Sequence, residues 1–122
     1  MMNKYKIGFW ISTGILSLFM LAGGISYLIK LEEVKPVFLA LGYPTHIIIP
    51  LAIAKILGII AITTRKSSVL KEWAYAGFCF ELILAFMAHI AADDHEWLGA
   101  VVALFMLFAS YFLQKKAFET AQ

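Results

Sequence analysis

The chain predicts an all-α membrane protein: a four-helix bundle with a short amphipathic helix in its first external connector. Three observations point there. Composition is strongly apolar, 62% hydrophobic with a mean hydropathy of +0.86 over 122 residues. Apolar runs recur at bilayer-spanning length, roughly 17–25 residues each. Apart from Lys55 and Glu81, nearly every charge falls in a connector or at a terminus. A chain of this length makes one domain, 1–122. In hydrocarbon each run must satisfy its own backbone polar groups, so each is read as a helix.

The first run goes from Ile7 to Ile29. It exceeds the roughly 7–15 residues of a signal-peptide core, and three more spans follow, so it is expected to be a retained helix. The connector from Lys30 to Thr45 comes next. Its apolar positions Leu31, Val34, Val37, Phe38 and Leu41 follow helical spacing, with Glu32, Glu33 and Lys35 opposite. Pro36 suits the first turn of a helix and Gly42 the position after its end. The expected element is a short amphipathic helix that lies on the outer surface or lids the bundle.

The second run, His46 to Thr63, is interrupted only by Lys55. Residues Thr64 to Glu72 are basic and polar, as in a solvated loop. The third run, Trp73 to Ala92, carries Glu81 and His89. Asp93, Asp94, His95 and Glu96 then make a tight hairpin, which forces antiparallel neighbours. Asp93 or Asp94 is a plausible N-cap for the fourth run, Trp97 to Leu113. Those four residues resemble a set of metal ligands, but consecutive residues do not converge without a special loop, and a solvated hairpin is the better reading. No metal site is expected.

Charge sets the orientation. Four spans put both termini and the middle connector on one side, with Lys4, Lys6, Arg65, Lys66, Lys71, Lys115 and Lys116. The other side has Lys30 and Lys35. Basic residues near helix ends mark the cytoplasmic face. Both termini are therefore expected to be cytoplasmic, and the location to be the plasma membrane of a prokaryote. This distribution accounts for the net charge of +2, and no nucleic acid is expected as a partner. The aromatic belt agrees: Tyr5, Trp10, Trp73, Tyr75 and Tyr111 fall near the inner ends, Tyr27 and Trp97 near the outer ends. Cys79 stands alone in mid-helix, which excludes an intrachain disulfide and suits a small packing residue.

Lys55 and Glu81 are the informative pair. An ionisable side chain at bilayer depth costs about 2.5–3.5 kcal/mol on insertion scales. At 1.5 Å rise per residue, each lies about 12 Å from the inner end of its helix. Those two helices run antiparallel, so the charges meet if their faces match. Gly58 and Gly77, one turn from each, are read as gaps that let a neighbouring helix approach. One reading is a proton-accepting or ligand-binding site; the other is an ion pair that only sets helix register, or a Lys55 that snorkels to the interface.

His89 follows Glu81 by eight residues, a rotation of about 80° and a rise of roughly 12 Å. That arrangement suits a proton path or the wall of a cavity open outward; a histidine bonded to a backbone carbonyl is the plainer reading. His46 reaches the depth of His89, which raises a metal pair. It lies half a turn from Lys55, however, so the two share a face only with distortion, for which Pro50 could supply a kink. Ser12, Thr13, Ser17 and Ser110 are ordinary helix hydrogen bonders. Ser17 is the candidate third partner of the pair.

The string Trp73-Ala74-Tyr75-Ala76-Gly77-Phe78, then Glu81, then Ala88-His89, with Gly42-Tyr43-Pro44 before the second span and Lys55 within it, resembles the DoxX-like family of small four-helix membrane proteins. The resemblance covers nearly the whole chain. It implies kinship with a wider group that includes membrane subunits associated with thiosulfate oxidation coupled to quinone reduction, and with oxidoreductase assemblies. No flavin, haem or iron–sulfur ligand set is recognisable, no cofactor is expected, and there is no catalytic motif; fold analogy does not license an enzyme. The expected role is an accessory or ligand-binding membrane subunit with the polar site Lys55, Glu81 and His89. Its partners would be the lipid bilayer and a small lipophilic ligand or another membrane protein. The alternative is a small proton-coupled transporter using Glu81.

Overall fold

A computed structural model of the chain describes residues 3–93, 95 and 97–118. Helix α1 spans Lys4–Ile29 and α2 spans Leu31–Ala40. A 3₁₀ turn, Thr45–Ile47, leads into α3, Ile48–Thr64; α4 is Ser68–Ala92 and α5 is Trp97–Phe118. The four long segments are each long and apolar enough to cross a membrane. Helix α1 packs on α3 and α5, and α4 on the same two, so the bundle is a ring ordered α1, α3, α4, α5.

The core is the apolar stripe each helix turns inward. Leu16 and Met20 of α1 meet Ile59 and Ile62 of α3, Tyr75, Phe78 and Leu82 of α4, and Ala103 and Leu107 of α5. The outer faces carry exposed leucine, isoleucine and phenylalanine throughout, which is the surface lipid requires and water penalises.

Several boundaries differ from the sequence expectation, each for a local reason. Helix α4 begins at Ser68, well before Trp73, because the Ser67 side chain accepts from the Leu70 N–H and caps it. The middle connector shrinks to Arg65–Ser67. Asp93 is not an N-cap of α5. It is the C-cap of α4, in the left-handed region at φ 54, with its N–H donating to the carbonyls of His89 and Ile90. Asp is among the few residues that tolerate this conformation. Asp94 and Glu96 lie outside the described residues.

Helix α2 follows α1 across the single residue Lys30, so Pro36 sits inside it rather than in its first turn. Its missing N–H deprives the carbonyl of exposed Glu32, where solvent can substitute. Gly42 has φ +88 just past the helix, as a terminating glycine should. Pro50 falls in the first turn of α3, where no N–H is needed.

Tyr75 also departs from the expected interface belt. It is 4% exposed, and its hydroxyl lies 2.7 Å from Ser110 Oγ, which lies 2.6 Å from Thr13 Oγ1. This buried chain ties α4, α5 and α1. Ser12 instead donates to the carbonyls of Gly8 and Phe9 within its own helix.

Candidate functional site

The two intramembrane charges meet. Lys55 Nζ lies 2.9 Å from Glu81 Oε1, with the two side chains 9% and 22% exposed. The same ammonium stands 4.6 Å from the centroid of the Tyr27 ring. Three helices therefore converge on one cation: α1 through the face of an aromatic ring, α3 through the lysine itself, α4 through the carboxylate. A cation over a ring face is attracted by its quadrupole, the more so where water is excluded.

Helix α1 comes this close because of Gly23 and Gly24. A Cβ on Gly24 would stand 3.1 Å from the Ala52 carbonyl oxygen and 3.4 Å from the Lys55 Cβ; one on Gly23 would stand 3.3 Å from Nζ. The gap that admits the lysine is thus on α1. Gly58 is filled otherwise: a Cβ there would meet Phe78 Cζ at 2.5 Å, so it serves the packing of α3 on α4. Gly77 faces open space and is no gap at all.

Glu81 and His89 share the wall of a cavity of about 440 Å³, closed above by α2. Its remaining lining is apolar or aromatic: Tyr27, Val34, Val37, Phe38, Leu41, Tyr43, Ile47, Leu51, Leu84 and Ala85. The volume lies within the roughly 300–1,000 Å³ of small-molecule sites. Val37 and Leu84 are each 53% exposed, so the mouth of the cavity is itself apolar. Lys55 does not line it; the lysine supports Glu81 from the bundle interior.

Helix α2 is held as a lid. Val34, Val37, Phe38 and Leu41 recur at helical spacing and all face the cavity. Phe38 is 6% exposed and packs edge-on against Tyr27, with centroids 5.3 Å apart. Beyond the lid, the Tyr43 N–H donates to the Phe38 carbonyl, and its hydroxyl donates to the Leu84 carbonyl of α4 at 3.3 Å. The exposed Lys35–Glu32 pair on the opposite side adds little.

The remaining candidates fall elsewhere. Ser17 Oγ is buried without a hydrogen-bond partner and is not joined to the pair. The level of Lys55 on α1 is Gly24, seven residues and about 10 Å further along. Tyr27 takes the place expected of Ser17. The signal was available, since Tyr27 lies one turn beyond Gly23, but an aromatic near a span's end reads first as an interface anchor. His46 is exposed in the 3₁₀ turn and does not line the cavity that His89 lines. Among the described residues no three His, Cys, Asp or Glu side chains gather as a metal site.

Comparison with curated proteins and with solved structures finds no match. One family model does match, over residues 11–112, a range that begins within α1, ends within α5 and takes in the lid, the ion pair and His89. With four bilayer-length helices and this match over most of its length, the chain is an integral membrane protein of the DoxX-like family.

Proposed function

We propose that the protein is an accessory membrane subunit that binds a small lipophilic molecule with a hydrogen-bonding head, of quinone-like shape, in the cavity beneath α2. One observation carries this reading: a carboxylate already neutralised by Lys55 stands, with His89, in the wall of an otherwise apolar cavity. Glu81 offers acceptor oxygens and His89 a ring that donates or accepts, and the apolar walls and mouth suit a ligand that partitions from lipid. Redox chemistry would come from the ligand and a partner protein, the residues here supplying position and polarity.

The test is titration of the purified protein in mild detergent with a short-chain ubiquinone analogue, followed by tryptophan fluorescence. Saturable quenching that weakens at least tenfold in Glu81→Gln, and in a lid variant Phe38→Ala, supports the reading. Equal quenching in wild type and both variants would falsify it.

Proton-coupled transport by Glu81 has less support, because Lys55 at 2.9 Å already balances the carboxylate that would have to exchange protons. Proton-driven uptake into vesicles holding the pure protein would reverse that preference. The basic bias supports cytoplasmic termini in a prokaryotic plasma membrane; a carboxy-terminal reporter active only outside the cytoplasm tests it.

A further inference from the structure

A second cavity, of about 400 Å³, opens at the end of the bundle where α1 begins and α5 ends, and shares no lining residue with the one under α2. Arg65, Lys71 and Lys115 line it with Glu72, Ser68 and Gln114. Three cations face one carboxylate, and that carboxylate already accepts from the Tyr111 hydroxyl at 2.9 Å. Among the described residues no carboxylate lies within ion-pair distance of the three cations. Among its described lining residues the pocket therefore carries more positive than negative charge.

Arg65 is the most constrained of the three. Its Nη1 donates to Gln114 Oε1 at 3.0 Å, and its guanidinium carbon lies 3.9 Å from the Phe118 ring centroid. Its backbone is left-handed, φ 56, at the end of α3, where glycine or asparagine is least strained. Partial burial pushes its pKa below the ordinary value. A planar fork with one edge already fixed is suited to two-point contact with a phosphate.

An apolar groove of about 220 Å³ adjoins this pocket and shares Glu72 with it. It follows α4 from Glu72 past Ala76 to Cys79, about 10 Å into the membrane, against Leu107, Phe108 and Phe112 of α5. Basic pockets between membrane helices at the bilayer surface recognise anionic headgroups. Here the charged pocket and the groove stand in the order a phospholipid presents its phosphate and its chain. We propose that Arg65, Lys71 and Lys115 bind the phosphate of an anionic phospholipid whose acyl chain occupies the α4–α5 groove.

The experiment is native mass spectrometry of the full chain in neutral detergent, with equimolar phosphatidylglycerol and phosphatidylcholine of identical chains. Phosphatidylglycerol is expected to be retained at least tenfold over phosphatidylcholine. Lys71→Gln with Lys115→Gln should reduce that preference at least fivefold, as should Arg65→Gln. Ala76→Phe, which obstructs the groove from an exposed position, should reduce retention of both lipids. Thermal melts identify any variant that has lost its fold; the two lysines make no ion pair among the described residues, so their double variant decides the matter if Arg65→Gln is unstable. Equal retention of the two lipids, or an unchanged preference in the double variant, overturns the proposal. Displacement of phosphatidylglycerol by equimolar glycerol phosphate assigns the pocket to a free phosphate ester and overturns the lipid assignment.

Discussion

The Tyr27 ring stands 4.6 Å from the Lys55 ammonium, on a helix that approaches closely enough only because Gly23 and Gly24 lack side chains. The cation that neutralises Glu81 is consequently held by two chemically different partners. It also connects the bundle to the lid, since Phe38 packs edge-on against the same ring.

That ring contact carries its own prediction. Tyr27→Leu should lose the cation–π attraction, about 0.5–2 kcal/mol, and loosen Phe38. Tyr27→Phe keeps the ring and should stay close to wild type. Thermal unfolding in detergent distinguishes them, and equal melting of the two variants would show that the ring contributes packing alone.

Removing one member of the ion pair leaves the other charge buried. Lys55→Met and Glu81→Gln are each expected to destabilise by about 3–5 kcal/mol, while the double variant should cost much less than their sum. Denaturant unfolding of all four proteins measures the coupling. Additive losses would mean that the two groups do not depend on each other.

Two glycines expected to play the same part should behave oppositely. Gly58→Ala puts a Cβ 2.5 Å from the Phe78 ring and should cost about 1–3 kcal/mol through overpacking. Gly77→Ala meets nothing within 4 Å and should be neutral or slightly stabilising, by about 0.5–1 kcal/mol from helix propensity. A stable Gly58→Ala would place the α3–α4 contact differently.

The buried hydroxyl chain Thr13–Ser110–Tyr75 should respond as a unit. Ser110→Ala strands two buried hydroxyls and is expected to cost roughly 1–3 kcal/mol. Adding Thr13→Val and Tyr75→Phe removes the stranded groups and should recover part of that loss. A triple variant less stable than Ser110→Ala argues against a connected network.

Four spans, an amphipathic α2 and the matched depth of Lys55 and Glu81 all follow from the order of residues. Bilayer length, helical period and rise per residue are local quantities, and lipid leaves a backbone few alternatives. The start of α4 was less legible, since a serine cap at Ser67 outweighed the polar character of the residues after it. Which helix reaches a given residue could not be counted along the chain. Ser17 and Tyr27 are both on α1, and only the crossing of α1 on α3 at Gly24 decides that the tyrosine, not the serine, lies against the lysine. The same holds for the cavity under α2, whose walls come from α1, α2, α3, α4 and the turn between α2 and α3, and for the basic pocket, where Arg65 and Lys115 are fifty residues apart. Local periodicity fixes depth and facing within each helix; the rotation and crossing of helices, set by where small side chains let backbones approach, decides which of those faces meet.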